Sequence, residues 1–175
     1  MNIKLSKAEL AELKKVLQYS NLNKLKDIDI NILKDLGNRL EQKSKIELFV
    51  DGAADLHTKT AGIGGVIYRN DEEMFSFSEH LGSATNNEAE YKALIRGLKE
   101  LINLKLLSAD IYADSELVVK QINGIYKVKN ERMQLLHKEA CNLLKEFESW
   151  LVSHIPREKN SVADKLSKDG MRNKN

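Results

Sequence analysis

The chain has 175 residues, of which 42% are hydrophobic and 31% charged, and its formal net charge is +2. This size suits one domain, or one domain with an appendage, and the composition is ordinary for a globular chain. No apolar run is long enough for a transmembrane helix, and charged residues interrupt the N-terminus, which excludes a secretory signal. Cys141 is the only cysteine, so intrachain disulfides and cysteine-based zinc sites are excluded. Together these features predict a cytoplasmic protein.

The N-terminal quarter of the chain is more basic than the rest. Residues 1–45 hold 10 Lys/Arg and 6 Asp/Glu, a net charge of +4, whereas residues 46–175 carry −2. A capping-box pattern at Ser6–Glu9 and leucines at helical spacing predict two short helices in this segment. Forty-five residues bury little surface alone, so we expect the segment to dock on the main domain, dimerise or bind nucleic acid. On charge alone, a solvated lysine-rich helix face fits equally well.

Residues 46–175 show alternating strand and helix patterns and form the predicted main domain. The predicted strands are 46–50, 62–68, 73–78, 109–113 and 150–155, and the predicted helices are 87–103, 116–122, 131–147 and 161–168. This β-β-β-α-β-α-α-β-α order predicts an α/β fold in which helices flank a mixed five-stranded sheet.

Two glutamates in the first predicted helix of this domain point in different directions. Glu90 shares the face of Leu94 and Gly97, which belong to the predicted buried stripe. Glu88 lies about 200° around the helix axis, where it can pair with Lys92 as a surface charge. An unpaired carboxylate that faces the interior is costly, so a compensating metal ion is expected at Glu90.

Three further acidic residues occupy positions that suit the same metal site. Asp51 and Asp114 each follow an apolar strand, and Asp164 lies early in the last predicted helix. If the two strands are parallel neighbours, both carboxylates emerge at their C-terminal ends, where open α/β sheets place active sites. Carboxylate oxygens suit hard divalent cations. Each residue also has a simpler interpretation, namely a turn at Asp51, a helix cap at Asp114 or Ser115, and a capping box that joins Ser161 to Asp164.

The motifs around these carboxylates resemble those of the ribonuclease H type 1 family, which cleaves the RNA strand of RNA/DNA hybrids. The matching segments are Leu48-Phe49-Val50-Asp51-Gly52-Ala53, Thr85-Asn86-Asn87-Glu88-Ala89-Glu90-Tyr91, Tyr112-Ala113-Asp114-Ser115, and His154 through Asn160-Ser161-Val162-Ala163-Asp164. The resemblance covers residues 46–172 and implies a ribonuclease H-like fold. It also implies a metal-dependent endonuclease that is not sequence-specific and leaves 5′-phosphate and 3′-hydroxyl ends.

The resemblance also implies roles for individual residues. Two Mg²⁺ ions, or Mn²⁺ in their place, are expected on the four carboxylates, and His154 is expected to assist proton transfer or product release. Thr85, Asn86 and Asn87 match positions beside the hybrid, and the wide minor groove of A-form-like duplexes is the surface such residues read. The remaining residues with expected roles at the substrate are Gly52, Ser115 and Asn160, of which Asn160 also lies close to the last metal ligand.

Two departures from the family pattern concern how the nucleic acid is held. Only residues 124–130 separate the two helices that follow the fourth strand, so a long basic handle is absent, and Pro156-Arg157-Glu158 replaces the glycine-rich loop of many bacterial members. Double-stranded RNA is a second candidate substrate. The alternatives to a hybrid-cleaving enzyme are an inactive module that binds nucleic acid or protein, and another nuclease on the same fold. A full carboxylate set disfavours the first, and the Thr-Asn-Asn-x-x-Glu segment disfavours the second.

Deletion of residues 1–45 tests whether this basic segment contacts the substrate. Each phosphate contact made by a lysine or arginine releases counterions, so its loss reduces the dependence of affinity on salt concentration. If the segment holds the hybrid, the truncated chain binds the hybrid more weakly and with a shallower salt slope. An unchanged slope, measured by fluorescence anisotropy over a salt series, rules out phosphate contacts from this segment.

Overall fold

Five strands and four α-helices follow one another in the predicted order. The computed structural model describes residues 44–173. Its elements are β1 (Ile46–Asp55), β2 (Thr60–Arg69), β3 (Glu72–Gly82), α1 (Asn86–Asn103), β4 (Ser108–Ala113), α2 (Glu116–Ile122), α3 (Glu131–Leu144), β5 (Ser149–His154) and α4 (Ser161–Arg172), with one 3₁₀ turn at Arg157–Lys159. The helices predicted within residues 1–45 lie outside this part of the chain.

The strands form one mixed sheet in the order β3-β2-β1-β4-β5. Strand β1 is antiparallel to β2 and parallel to β4, and β5 is parallel to β4. The predicted fold class and the parallel pairing of β1 with β4 are therefore confirmed. Among the described helices, none is both long and apolar enough to cross a membrane.

Strand β1 is longer than predicted, and this corrects the local interpretation of Asp51. The strand continues to Asp55 because β2 pairs with it over its whole length, with Asp51 opposite Gly64. The turn interpretation of Asp51 is therefore wrong. The parallel pairing with β4 nevertheless ends where Val50 lies opposite Ala113, so Asp51 and Asp114 both come one residue after the last parallel pair. Both carboxylates thus lie at the C-terminal end of the parallel pairing between β1 and β4.

Helix α1 packs on the centre of the sheet through the stripe that its periodicity predicts. Leu94, Leu98 and Leu101 are at most 1% exposed, and the strand residues Leu48 and Val50 are fully buried. Helix α1 also packs against α3. This packing holds the N-terminal part of α1, which carries Glu90, in a fixed position above Gly52 of β1.

Helix α4 packs against β2 at a distance that only glycines allow. A Cβ atom on Gly64 would meet the backbone nitrogen of Ser167 and lie 2.6 Å from the carbonyl oxygen of Ala163, and one on Gly62 would meet the backbone of Met171. Because these neighbours are backbone atoms, they cannot rotate away. The glycines therefore fix the height of α4 above the sheet.

We expect Gly64→Ala to destabilise the domain by about 3 kcal/mol, because the added methyl group must push the α4 backbone away from β2. The matched control is Gly124→Asn. Gly124 has a φ of +73°, and no atom lies within 4 Å of the position that a Cβ would take there. Asparagine tolerates this conformation at a cost below about 1 kcal/mol. Urea unfolding of both variants checks the prediction, and equal stability of Gly64→Ala and wild type would contradict it.

Candidate metal centre

Three carboxylates from three elements converge at the edge of the sheet described above. One oxygen each of Asp51, Glu90 and Asp114 lies within 4.8 Å of the others. Asp51 is 2% exposed and Glu90 6%, while Asp114 is half-buried. The structure therefore brings together three of the four residues that the sequence assigned to the metal, and it confirms that Glu90 faces inward.

Gly52 explains how Glu90 comes so close to strand β1. The Gly52 N–H donates a hydrogen bond of 3.2 Å to Glu90 Oε2. A Cβ atom at Gly52 would lie 2.7 Å from the carbonyl oxygen of Ala89, in the first turn of α1. Gly52 is buried, so the contact that the structure gives this residue is with the helix that carries Glu90. A role at the substrate stays a prediction.

Asn160 donates a hydrogen bond to the Asp114 carboxylate from the protein interior. Its side-chain nitrogen donates to Asp114 Oδ1 at 3.1 Å and to the Val50 carbonyl oxygen at 2.9 Å. The residue is 1% exposed, and its own Oδ1 has no hydrogen-bond partner among the described residues. Asn160 thus joins the ends of β1 and β4, and burial keeps its side chain from meeting a substrate directly.

Asp164 lies outside the group of three carboxylates and is paired with basic side chains. Its Oδ1 accepts from Arg157 Nε at 2.9 Å, and its Oδ2 accepts from Lys168 Nζ at 2.6 Å. Partial burial tends to raise the pKa of Asp164, but the bonds from Lys168 and Arg157 outweigh it and hold the pKa below its usual range. The alternative capping box with Ser161 is wrong, because Asn160 occupies the N-cap position and makes no side-chain capping bond.

Burial and mutual repulsion shape the electrostatics of the three clustered carboxylates. Burial raises the pKa of Glu90 to about 9, and the neighbouring charges of Asp51 and Asp114 add to this effect. Burial also raises the pKa of Asp51 to about 6, partly opposed by a hydrogen bond from Ser167. Three carboxylates held this closely need positive charge to ionise together. An all-oxygen donor set of this kind fits Mg²⁺ or a similar hard divalent cation.

The start of α1 is an exposed polar edge beside the carboxylates. Thr85 is the N-cap, its hydroxyl accepts from Glu88 N–H at 3.3 Å, and the Glu88 carboxylate accepts from Thr85 N–H at 2.8 Å. Glu88 therefore completes a capping box, whereas the sequence suggested a pair with Lys92. Asn86 and Asn87 are exposed in the same turn.

Ser115 and His154 lie at the C-terminal ends of β4 and β5. The Ser115 hydroxyl accepts from Val118 N–H at 3.5 Å and caps α2, so the cap interpretation holds for Ser115. His154 is exposed and ends β5 opposite Ala113, the residue before Asp114. The Asp114 carboxylate itself belongs to the group of three carboxylates, and the cap interpretation is wrong for it.

Three residues at the site were not assigned to it from the sequence, namely Arg157, Ser167 and Lys168. Arg157 and Lys168 bind Asp164, and the Ser167 hydroxyl donates to Asp51 Oδ2. One signal was present in the sequence, since Asn160, Asp164 and Ser167 recur at the i, i+4, i+7 spacing of one helix face. What that face meets is set by the packing of α4 on the sheet.

Comparisons with known proteins agree with this geometry. A family model described as "Reverse transcriptase-like" matches residues 49–170. The solved N-terminal RNase H domain of Rv2228c from Mycobacterium tuberculosis is 34% identical, with a TM-score of 0.69 over 73% of this chain and 98% of that one. The structure of LC11-RNase H1 in complex with an RNA/DNA hybrid is 36% identical, with a TM-score of 0.69 over 73% and 97% of the two chains.

Curated relatives point the same way, and some are longer than the matched region. The bifunctional protein Rv2228c of Mycobacterium tuberculosis is 34% identical over 129 residues, and the match spans 73% of this chain but 35% of that protein. Ribonuclease HI of Halobacterium salinarum is 30% identical over 75% of this chain and 66% of its own length. A mixed five-stranded sheet with clustered carboxylates at its edge defines the nuclease class of this fold. The chain belongs to the ribonuclease H family.

We expect the metal-free protein to lose stability as pH rises, because the pKa of Glu90 is higher in the folded chain than in the unfolded one. The stabilising effect of protonated Glu90 is complete below its unfolded pKa of 4.5 and is lost as pH approaches about 9. Urea unfolding in EDTA should therefore show a decline of more than about 1 kcal/mol between pH 5 and pH 9. Added Mg²⁺ should reduce this decline.

The matched variant is Glu90→Gln, which keeps the shape of the side chain and its acceptor for Gly52 N–H. It removes the titrating group, so its stability in EDTA should depend less on pH than that of the wild type. An equally steep decline in the variant would show that other groups cause the pH dependence.

Proposed function

We propose that this domain is an endonuclease that hydrolyses the RNA strand of RNA/DNA hybrids without sequence preference and leaves 5′-phosphate and 3′-hydroxyl ends. The observation that carries the proposal is the convergence of Asp51, Glu90 and Asp114 at the edge of the β1–β4 pair. The likeness to LC11-RNase H1, whose structure contains an RNA/DNA hybrid, supports the choice of substrate. The proposal concerns the domain alone and does not extend to the further regions of longer relatives such as Rv2228c.

Two Mg²⁺ ions are the proposed cofactors, with Mn²⁺ as an alternative, and the four carboxylates Asp51, Glu90, Asp114 and Asp164 are their proposed ligands. When bound, such ions activate the attacking water and stabilise the leaving 3′-oxygen. The three clustered carboxylates fit this role because all are oxygen donors whose mutual repulsion a cation relieves. To bind an ion, Asp164 would have to release its ion pairs with Arg157 and Lys168. The two basic side chains then become free to meet a phosphate of the substrate.

The exposed start of α1 is the proposed contact with the hybrid. Thr85 contacts a phosphate of the DNA strand, and Asn86 and Asn87 reach into the minor groove, whose width and 2′-hydroxyls distinguish A-form-like duplexes from B-DNA. Ser115 lies on the proposed substrate side of the carboxylates, and a role of the buried Gly52 at the substrate stays a prediction. His154, exposed at the end of β5, assists proton transfer or product release. Because Asn160 is buried, we assign it the support of Asp114 rather than a substrate contact.

Three further expectations complete the proposal. Double-stranded RNA is a second candidate substrate, since its minor groove has the same A-form character. The sequence predicts a helical appendage within residues 1–45, which we expect to dock, dimerise or bind nucleic acid; residues 1–43 lie outside the part of the chain that the structure describes. The cytoplasmic location that the sequence suggests stays a prediction.

Incubation of the protein with end-labelled RNA/DNA hybrid, double-stranded RNA and DNA duplex tests the function directly. We expect cleavage of the RNA strand of the hybrid in Mg²⁺ or Mn²⁺ and none in EDTA. Asp114→Asn should abolish cleavage, a loss of at least roughly 10³-fold, because the amide lacks the charge that holds a cation. Circular dichroism should show that the fold of the variant is intact.

Asp110→Asn is the matched control, because Asp110 lies on β4, the strand that Asp114 directly follows, and outside the carboxylate cluster. It should retain the activity of the wild type. Full activity of Asp114→Asn would refute the assigned centre. Binding of the hybrid without cleavage in either metal would favour the inactive binding module, and cleavage of the DNA duplex alone would favour another nuclease on this fold.

A further inference from the structure

Helix α4 directs three polar side chains toward the carboxylate cluster from one face. Asn160, just before the helix, and Ser167, two turns later, are 1% and 0% exposed, and Asp164 lies between them. Asn160 donates to Asp114, and Ser167 donates to Asp51. Each of the two strand carboxylates therefore receives one hydrogen bond from the same helix.

The Ser167 hydroxyl also has a partner within its own helix. Serines inside helices often bond to a carbonyl oxygen three or four residues earlier, and Ser167 Oγ lies 2.9 Å from the Asp164 carbonyl oxygen. That bond alone would satisfy the hydroxyl. The hydroxyl has one proton, however, and it also faces the buried carboxylate of Asp51. A carboxylate is a stronger acceptor than a carbonyl oxygen, so the proton is directed to Asp51.

The backbone that carries Ser167 is held in place by the glycines of β2. Cβ atoms on Gly62 or Gly64 would collide with the Ser167 backbone, at its carbonyl oxygen and its nitrogen respectively. This close packing sets the height of the Ser167 backbone above β2. The hydroxyl is therefore presented to Asp51 Oδ2 from a fixed point, and a donor at a fixed point restricts the rotation of the carboxylate it binds.

We propose that Ser167 is a positioning residue of the metal centre, whose hydroxyl fixes the orientation of the Asp51 carboxylate so that one oxygen is held by α4 and the other is left for a cation. The inference rests on the metal-dependent function proposed above. Asp51 is 2% exposed and faces two other carboxylates, so without a donor on Oδ2 it can turn away from Glu90 and Asp114. Partners that orient metal ligands commonly contribute 10- to 100-fold to metal affinity, as an order of magnitude.

Ser167→Ala removes the hydroxyl and adds no volume next to the glycines of β2. The probe is Mg²⁺ alone, titrated into the substrate-free protein and followed by the rise of Tm, with Mn²⁺ titrated by calorimetry as a second reading. We expect the dissociation constant for the metal to increase by about 10-fold or more. In hydrolysis assays, the Mg²⁺ concentration for half-maximal rate should rise by a similar factor, while KM for the hybrid stays unchanged.

Ser78→Ala is the matched control, since Ser78 also bonds to α4, at the Leu166 carbonyl oxygen (2.7 Å), but touches none of the carboxylates. It should leave the metal affinity unchanged. Ser167→Cys keeps a weaker donor at the same position, and its affinity should lie between those of the wild type and Ser167→Ala. A change below about twofold in Ser167→Ala, or an equal change in Ser78→Ala, would overturn the inference. If the wild type itself binds neither metal, the failure lies with the proposed function instead.

Discussion

The repulsion among three neighbouring carboxylates, two of them buried, is the constraint on which this domain depends. Asp51, Glu90 and Asp114 present oxygens within 4.8 Å of one another, and burial raises the pKa of Glu90 to about 9. A chain selected for stability alone would gain by replacing one of these acids with an apolar or amide side chain. A proton on Glu90 relieves this repulsion at neutral pH, and a cation would do so with all three acids ionised, so protonation, cation binding and stability are linked.

The rest of the fold holds these acids together against their repulsion. Helix α1 approaches β1 closely at Gly52 because this residue has no side chain. The Gly52 N–H then donates a hydrogen bond to Glu90. On β2, Gly62 and Gly64 let α4 approach until Ser167 meets Asp51. Close backbone contacts of this kind are stiff, so they fix side-chain positions that flexible contacts would leave free. The glycines thus contribute to the site although none of them offers it a ligand.

Asp164 shows a second way to hold an acid near this cluster. Arg157 and Lys168 donate hydrogen bonds to it and keep its pKa low, so it is ionised. Burial is the main cause that raises the pKa of Asp51, and the charges of Asp114 and Asp164 add to it. An ion that binds Asp164 must compete with two basic side chains, both of which are at least partly exposed. The centre therefore combines three acids that need positive charge in order to ionise together with one acid that is already paired with two basic side chains.

The sequence by itself determined the element order, the mixed sheet and the inward direction of Glu90, because hydrophobic periodicity and strand patterns report which residues are buried. It also identified Asp51 and Asp114, because each directly follows an apolar segment. Only the tertiary structure decided that β1 runs through Asp51 and that Ser167 bonds to Asp51. These features depend on which backbones meet across the sheet and where their side chains are then directed, and contacts between residues distant in the chain leave no local pattern in it.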